Sequence, residues 1–510
     1  MSKSKKILVF IILLFTAALV YAPHFSYPLP YHIDEWHHIS EGIRLGNYGE
    51  YFRIFRLESA NRFSGLEIGF HFFLFLLSNL VDLVSIYQFL PAFWAALGGL
   101  TIFLISYHKT KKYWLAILAM IFFAAIKSNV NISGLWFFTP LSFSLPLIMA
   151  YLYLWSEGLA RQNKTYLLLC LVIILLLIPT HSISVLFAAP LLLIVAAFNS
   201  KYLLRQWKFF SLFIIVPIIG FLFYKYALGL DWLTVFKSRF YFFEYGWGIV
   251  ELKNSLTESY PLIAYLLACL GLGFIILTHQ TKKFILWLVW PLSVLTLIII
   301  YRLTGISLLS PYQRNIYYLT LSLPLLSAFG LFYLLVYLNR AIAFIIENRH
   351  TNYIKKFISI SVTIGIDQKY IKLIQSLISA VVIVIVFTST FWSYYQLPQR
   401  VSLYKIIDNE EYAILKYLSR LAPAKIMAPP FISAAIFPLS GHEPVGTYVF
   451  YGNIEDVRKF FSTDDCQILN EILNRHQVSY IIAPLPLLCN YELLQTTPNR
   501  FIYKVNVHQN

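Results

Sequence analysis

The stretch KKILVFIILLFTAALVYAPHFSYPLPYHIDEWHH, residues 5–38, decides the fold predicted for this chain. Its apolar part, residues 7–22, approaches the length of about 20 residues that a helix needs to cross a bilayer. A cleaved signal peptide is the competing interpretation, because basic residues precede the apolar run. The residues that follow, 23–25, lack the small side chains of a cleavage site. We therefore predict an uncleaved first span with the N-terminus in the cytoplasm.

The composition of the whole chain extends this prediction. Hydrophobic residues make up 59% and charged residues only 13% of the chain, whereas soluble domains are about half apolar and about a quarter charged. A bilayer as solvent accounts for the difference, so the fold class is an α-helical polytopic membrane protein with about eleven transmembrane helices. The predicted spans cover residues 7–22, 86–107, 113–125, 137–155, 166–179, 183–198, 209–227, 261–278, 284–301, 316–338 and 377–391.

The net charge of +16 would suggest nucleic-acid binding in a soluble protein. Here the basic residues lie in short loops between apolar runs, which is the positive-inside pattern, so no nucleic-acid partner is expected. The residues that carry the pattern are Lys3, Lys5, Lys6, Lys109, Lys111, Lys112, Lys201, Arg205, Lys208, Lys282, Lys283, Lys355 and Lys356. Counted from a cytoplasmic N-terminus, the predicted spans place all these loops in the cytoplasm and the C-terminal segment outside.

The chain divides into a membrane domain, residues 1–395, and a small extracytoplasmic α/β domain, residues 396–510. Three outer segments of the membrane domain are long enough to carry chemistry, and the first of them, 23–88, follows the first span directly. The others are 229–260 and 302–315. In the C-terminal domain we predict helices over 410–422, 454–461 and 464–476, and strands over 424–428, 480–484 and 501–505.

Two cysteines of the C-terminal domain, Cys466 and Cys489, are predicted to form a disulfide. Both lie on the side of the membrane predicted to be outside, which is the oxidising side. Cys170 and Cys269 lie within predicted spans, where a thiol behaves as a small apolar group.

The most unusual chemistry lies in Tyr31-His32-Ile33-Asp34-Glu35-Trp36-His37-His38, at the predicted outer surface. On a helix, Asp34, His37 and His38 share one face, while Glu35 points elsewhere. A carboxylate held there suits a general base, and the cluster also suits a divalent ion. The structural alternative is that Asp34 caps a helix that ends near Gly46 and buries an apolar stripe of Trp36, Ile39 and Ile43.

Two arginines and one further histidine complete the candidate residues. Arg314 and Arg302 flank the third outer segment, where a guanidinium suits a lipid phosphate; each is equally well explained as an anchor at the membrane surface. His181 lies in a predicted tight turn between two spans, where a hydrogen-bonded structural role is the alternative. The second outer segment alternates charged and aromatic residues, which suits a lipid-head or sugar surface or an ordinary interfacial loop. Its charged residues are Asp231, Lys237, Arg239 and Glu244.

An outward acidic pair directly after the first span, many further spans and an external C-terminal α/β domain together resemble the GT-C superfamily of membrane glycosyltransferases. The branch with protein mannosyltransferases and lipid A aminoarabinose transferases is the most similar. The similarity in architecture covers the whole chain. The similarity in sequence motifs rests on Asp34-Glu35, with Arg314 and Thr180-His181-Ser182 as weaker support.

This resemblance implies glycosylation in the cell envelope, from a polyprenyl-phosphate-linked sugar donor to a lipid, glycan or protein acceptor. It implies that Asp34 deprotonates the acceptor hydroxyl, that Glu35 orients Asp34 or the acceptor, and that Arg314, with Arg302, holds the donor phosphate. No cofactor is expected. The histidines beside the acidic pair are not part of the family pattern and leave a divalent metal open, with His37, His38 and His181 as substrate or metal contacts.

The sequence leaves two alternatives to an enzyme open. A flippase or transporter of lipid-linked oligosaccharides expects broken helices, charges at the bilayer midplane and often inverted repeats, whereas the charges here gather at the outer surface. An inactive scaffold with the same architecture is the other alternative. The sequence contains no Gly-rich phosphate loop and no zinc-spaced cysteine pair, which argues against ATP-driven chemistry.

Overall fold

The computed structural model describes residues 2–46, 67–128, 134–228, 241–243, 256–357, 368–392, 405–448 and 452–505. Most of the second outer segment, including Asp231, Lys237, Arg239 and Glu244, lies outside the described residues.

Helices account for most of the described chain, as the apolar composition predicted. In the membrane domain they are α1 Lys3–Tyr21, continued by a short 3-10 helix Ala22–Phe25, α2 Ile33–Arg44, α3 Ile68–Ser78, α4 Leu83–Tyr87, α5 Leu90–Thr110, α6 Tyr113–Ala124, α7 Pro140–Ala160, α8 Lys164–Ala197, α9 Ser200–Arg205, α10 Trp207–Phe210, α11 Leu212–Leu228, α12 Leu256–Ser259, α13 Leu262–Leu277, α14 Ile285–Thr304, α15 Tyr312–Ser322, α16 Pro324–Phe357 and α17 Gln368–Phe391. In the C-terminal domain they are α18 Asn409–Leu418, α19 Ser433–Ser440, α20 Ile454–Phe460 and α21 Cys466–His476.

Within the described residues, six helical segments are long and apolar enough to cross a membrane. They are Lys3–Phe25, Leu90–Thr110, Lys164–Ala197, Ile285–Thr304, Tyr312–Phe344 and Lys372–Phe391. Shorter apolar helices add to them, and large apolar side chains such as Leu14, Val172 and Ile299 lie exposed on the helix surfaces. Such surfaces suit lipid rather than water, so the protein is an integral membrane protein. The count of eleven spans stays a prediction.

The predicted spans 166–179 and 183–198 lie in α8, where two helical halves meet at a break at His181 and no separate turn joins them. Its backbone departs from helical geometry at His181, with φ −156° and ψ 80°, two residues after Pro179. A proline inside a helix removes one backbone hydrogen bond and presses against the preceding turn, which kinks the helix. His181 therefore lies at a kink in a long helix.

The helices pack closely where small residues remove side-chain bulk. A Cβ added to Gly271 of α13 would lie 2.1 Å from the backbone oxygen of Leu326, and one added to Gly330 of α16 would lie 1.9 Å from that of Leu267. These helices therefore touch backbone to backbone, as small residues allow between membrane helices.

The C-terminal domain is the predicted small α/β unit. Its sheet has five strands, β3 Lys425–Met427, β4 Glu443–Pro444, β5 Val478–Ala483, β6 Glu492–Thr497 and β7 Arg500–Lys504. Their order is β4-β3-β5-β7-β6, with β3 parallel to β4 and β5, and β7 antiparallel to β5 and β6. Three strands and three helices lie where the sequence predicted them, whereas α19, β4 and β6 were not predicted. The predicted disulfide between Cys466 and Cys489 is confirmed, with the Cα atoms 5.6 Å apart.

Two contacts position the C-terminal domain against the membrane domain. The Tyr27 hydroxyl donates a 2.7 Å hydrogen bond to the carbonyl of Ile407, and Arg44 of α2 forms a 2.6 Å ion pair with Glu443. In the third outer segment, β2 Ile306–Leu308 pairs antiparallel with β1 Tyr241–Phe243 of the second.

Candidate active site

The acidic pair lies at the start of α2, as the pattern predicted, but the cap is different. His32 is the N-cap, and its Nδ1 accepts a 3.1 Å hydrogen bond from the backbone N–H of Asp34. The prediction that Asp34 caps this helix is therefore wrong. Because the Nδ1 lone pair accepts that bond, the ring proton of neutral His32 lies on Nε2. The helix ends at Arg44, close to the predicted end.

Glu35 is fully buried and holds the beginning of α2 in place. Its Oε2 accepts hydrogen bonds from the backbone N–H groups of Tyr31 and His32, each at 3.0 Å, and its Oε1 accepts one from Phe138 at 2.8 Å. Burial raises the pKa of Glu35 to about 7, although these three N–H groups favour the ionised form. Since the carboxylate is enclosed and fully engaged with backbone donors, it positions neighbouring residues and does not face an acceptor.

Asp34 differs from the other titratable residues of α2 in its exposure. Glu35, His37, His38, Glu41 and Arg44 are all buried, whereas the Asp34 side chain keeps 31% of its surface accessible. Trp36 and Ile39 bury the apolar face of the helix, as predicted. Among the titratable groups of α2, the Asp34 carboxylate is thus the most exposed.

The histidines of α2 meet further imidazoles from other elements. His38 Nδ1 lies 3.0 Å from Nε2 of His71 on α3, and the carboxylate of Glu67, the residue before α3, lies beside this pair. His32, His37 and His181 lie close enough to interact electrostatically with His38. Burial lowers the pKa of His37 to about 4 and that of His38 well below its usual range, so both are neutral at neutral pH.

His181 connects this cluster to the helix that carries Arg314. Its Nδ1 lies 2.6 Å from the Ser184 hydroxyl, which lies 2.8 Å from the hydroxyl of Tyr318 on α15. Arg314 lies four residues before Tyr318 on the same helix and is half-buried. His181 therefore links the histidines of α2 to α15, the helix that carries Arg314.

Arg302 lies apart from this chain of contacts, near the end of α14. It is exposed, and its Nε donates a 3.0 Å hydrogen bond to the hydroxyl of Tyr312, the first residue of α15. Arg302 is therefore linked to α15, the helix that carries Arg314, by its hydrogen bond to Tyr312.

A cleft separates α2 from the C-terminal domain. On one side it is lined by His37, Ser40, Glu41 and Arg44, whose spacings of three and four place them on one face of α2. Ser433 and Phe437 of α19 line the opposite side, and the Arg44 guanidinium lies 4.0 Å from the centre of the Phe437 ring. The cleft is polar on the α2 side, and Ile33 and His37, which flank Asp34 in sequence, both reach it.

Sequence reasoning missed two residues of this site, Glu67 and His71. His71 stands in Phe70-His71-Phe72, an ionisable residue inside an otherwise apolar run. Such a residue is itself a signal for a functional site at a membrane. Glu67 carries no comparable signal, because a carboxylate before a helix is common.

No family profile matches the sequence, and no curated protein matches it. Solved structures do match. ArnT from Cupriavidus metallidurans, solved bound to undecaprenyl phosphate, matches with a TM-score of 0.54 and 11% identity over 99% of this chain and 98% of that protein. The oligosaccharyltransferase AglB from Archaeoglobus fulgidus, solved with an inhibitory peptide and a dolichol-phosphate, matches with a TM-score of 0.53 and 12% identity over 94% of this chain and 70% of that protein.

Both proteins are GT-C superfamily members, so the likeness confirms the fold that the sequence predicted. At these identities the likeness is one of fold. The small C-terminal sheet and the apolar helices of this chain are part of that shared architecture.

Proposed function

We propose that this protein is a glycosyltransferase that moves a sugar from a polyprenyl-phosphate-linked donor to an acceptor on the extracytoplasmic face of the membrane. The observation that carries the proposal is the exposure of Asp34. Its carboxylate is accessible, whereas the other titratable side chains of α2 are buried. Asp34 lies shortly after the first span and follows Ile33, which lines the polar cleft. The fold supports the proposal, because ArnT was solved with undecaprenyl phosphate and AglB with dolichol-phosphate.

In the proposed reaction Asp34 is the general base. The acceptor oxygen attacks the anomeric carbon of the donor sugar while its proton passes to the Asp34 carboxylate. The bond between that carbon and the phosphate oxygen breaks, and the polyprenyl phosphate leaves with the electron pair. Arg314 stabilises the negative charge that accumulates on the phosphate, with Arg302 near its helix as a second phosphate contact.

The remaining candidate residues have supporting roles in this proposal. Glu35 is a positioning residue, because it binds the backbone just before Asp34, at Tyr31 and His32, and ties it to the backbone of Phe138. His37 lines the cleft, and as a neutral imidazole it can exchange hydrogen bonds with a sugar hydroxyl. We place the acceptor beside Asp34 and the lipid tail of the donor between the spans.

The decisive test compares wild type with Asp34→Asn in isolated membranes supplied with radiolabelled polyprenyl-phosphate sugars. Asparagine keeps the size of the side chain but cannot take up the proton, so we expect transfer to fall by about 10²- to 10⁴-fold. The matched control is Asp82→Asn in the same outer segment. Asp82 caps α4 by accepting a hydrogen bond from Val84, which asparagine also does, so activity should stay at the wild-type level.

Full transfer by Asp34→Asn at normal protein levels would refute the proposal. A second comparison separates a base from a metal ligand. We propose that Asp34 acts without a metal, so His37→Ala should reduce transfer only mildly. If Asp34 and His37 held an ion together, both substitutions would be similarly damaging.

A further inference from the structure

Three side chains from two parts of the outer segment, α2 and the beginning of α3, converge where these helices meet. His38 belongs to α2, His71 to the first turn of α3, and Glu67 immediately precedes α3. One ligand atom from each, two imidazole nitrogens and one carboxylate oxygen, lies within 4.8 Å of the others. Both histidines are buried, and Glu67 is half-buried. The group does not include Asp34.

The spacing of these atoms suits a tetrahedral transition metal. Zinc binds imidazole nitrogen at about 2.0–2.1 Å, which places two nitrogen ligands about 3.3 Å apart in a tetrahedron. The observed separation of 3.0 Å between His38 Nδ1 and His71 Nε2 is close to that value. Two histidines and one carboxylate, with the fourth position open, form a known type of zinc ligand set.

The scaffold brings the two histidines together without any ion. A Cβ added to Gly42 of α2 would lie 2.6 Å from the Cβ of Leu74 on α3, so the two helices cross at close contact. His38 and His71 lie four and three residues before this crossing, on the facing sides of their helices. The ligand positions are therefore set by backbone packing.

We propose that His38, Glu67 and His71 bind a divalent transition metal, best matched by zinc, which ties α3 to α2 near Asp34. The site is separate from the proposed base, and metal binding does not depend on the proposed glycosyl transfer. Its expected effect on the reaction is indirect, by holding in place the helix that carries Asp34.

Metal content measures the proposal directly. The full chain, purified in detergent without a polyhistidine tag, is equilibrated with zinc sulfate, desalted and analysed by mass spectrometry for metals. We expect about one zinc ion per chain in wild type, as for a single three-ligand site. Zinc should be lost in His71→Ala and bound at least about tenfold more weakly in Glu67→Gln.

Two controls isolate the site. His279→Asn removes an exposed histidine far along the chain and should keep full zinc content; asparagine tolerates the positive φ of 53° at that position. Asp34→Asn should also keep its zinc while losing transfer, so failure of this inference and failure of the proposed function give different results.

Cobalt provides a second measurement that needs no variant. Co²⁺ bound by two imidazoles and a carboxylate in tetrahedral geometry should give visible absorption bands that excess zinc removes. The inference would be overturned if wild type bound neither ion. It would also be overturned if His71→Ala and Glu67→Gln both kept the zinc content of wild type, and the two histidines would then be a hydrogen-bonded pair.

Discussion

Arg314, half-buried on the first turn of α15, is the residue for which geometry and charge can be separated most cleanly. Arg314→Lys keeps the positive charge but loses the planar guanidinium that can bind a phosphate through two parallel hydrogen bonds. We expect the KM for the donor to rise about tenfold, as for one lost charge-assisted hydrogen bond, with the KM for the acceptor unchanged.

Initial rates over a matrix of donor and acceptor concentrations measure both constants. Arg340→Lys on α16 is the matched control, because Arg340 packs over the Tyr337 ring, away from the proposed site, and its substitution should change neither constant. If the KM for the donor were unchanged in Arg314→Lys, Arg314 would be an anchor at the membrane surface and not a phosphate ligand.

Glu35 gives the protein a specific dependence of stability on pH. Burial raises its pKa from 4.5 to about 7, so the folded state holds this proton more tightly than the unfolded state. The stability that this preference contributes is complete below pH 4.5 and is lost as the pH rises through 7. Thermal unfolding in detergent, followed by tryptophan fluorescence, should therefore show the Tm of wild type falling between pH 5 and pH 8.

The comparison variant is Glu35→Gln, which cannot ionise. Its amide N–H₂ group faces backbone N–H groups, where an acceptor is needed. We therefore expect the free energy of unfolding to fall by about 1–3 kcal/mol at low pH. Its Tm should then change less between pH 5 and pH 8 than that of wild type. Parallel pH profiles for the two proteins would contradict the assignment of this titration to Glu35.

The residues around Asp34 show what a local pattern can and cannot predict. The pattern predicted a helix with Trp36 and Ile39 buried and Glu35 facing away from Asp34, and these predictions are confirmed. It named Asp34 as the cap because aspartate is a preferred cap and histidine is not. Glu35, which accepts the His32 N–H in this cap, also accepts the N–H of Phe138, 103 residues away, and periodicity within α2 cannot reveal that contact.

At the scale of elements, α2 and the C-terminal domain are joined by a strongly asymmetric ion pair. Arg44 is almost fully buried, with 2% of its side chain exposed, whereas Glu443 keeps 25%. Removing Glu443 leaves the buried cation without its carboxylate, which is costly. Arg44→Met and Glu443→Gln should each lower the Tm, and their coupling free energy should be about 0.5–3 kcal/mol.

A double-mutant cycle on thermal unfolding measures that coupling. Arg44→Met combined with Lys459→Met, an exposed position of α20, should be additive and is the control pair. Additivity of Arg44→Met with Glu443→Gln would mean that the ion pair does not hold the two elements together.

The elements that the sequence missed have short or interrupted patterns. The α19 helix spans Ser433–Ser440 and contains Pro438, a residue that normally argues against a helix interior. The β4 strand has two residues, and β6 is a largely exposed edge strand without clear alternation. Pairing with neighbouring strands defines such elements, and the sequence of the segment alone does not contain that information.

At the scale of the whole molecule, the orientation in the membrane is the prediction that most affects function. The Lys/Arg distribution predicts that the N-terminus is inside and the C-terminal domain outside, and the disulfide in that domain agrees with an oxidising compartment. We expect Lys416→Cys to react with an impermeant maleimide in intact cells and Lys282→Cys only after permeabilisation. Both positions are exposed.

The parent for this experiment carries Cys170→Ala and Cys269→Ser and keeps the Cys466–Cys489 disulfide, which does not react with maleimide. The unsubstituted parent should remain unlabelled. Labelling of Lys416→Cys only in permeabilised cells would reverse the predicted orientation and would move the proposed site to the cytoplasmic side.

The contacts that fix the beginning of the protein to its end have a consequence for biosynthesis. Tyr27 binds Ile407, 380 residues later, and Arg44 binds Glu443, 399 residues later. At a translation rate of about 5–20 residues per second, the ribosome adds Glu443 about 20–80 s after Arg44. During that interval a nascent chain carries Asp34 but lacks the part of the C-terminal domain that packs against α2. Premature release should therefore yield an inserted polypeptide without transferase activity.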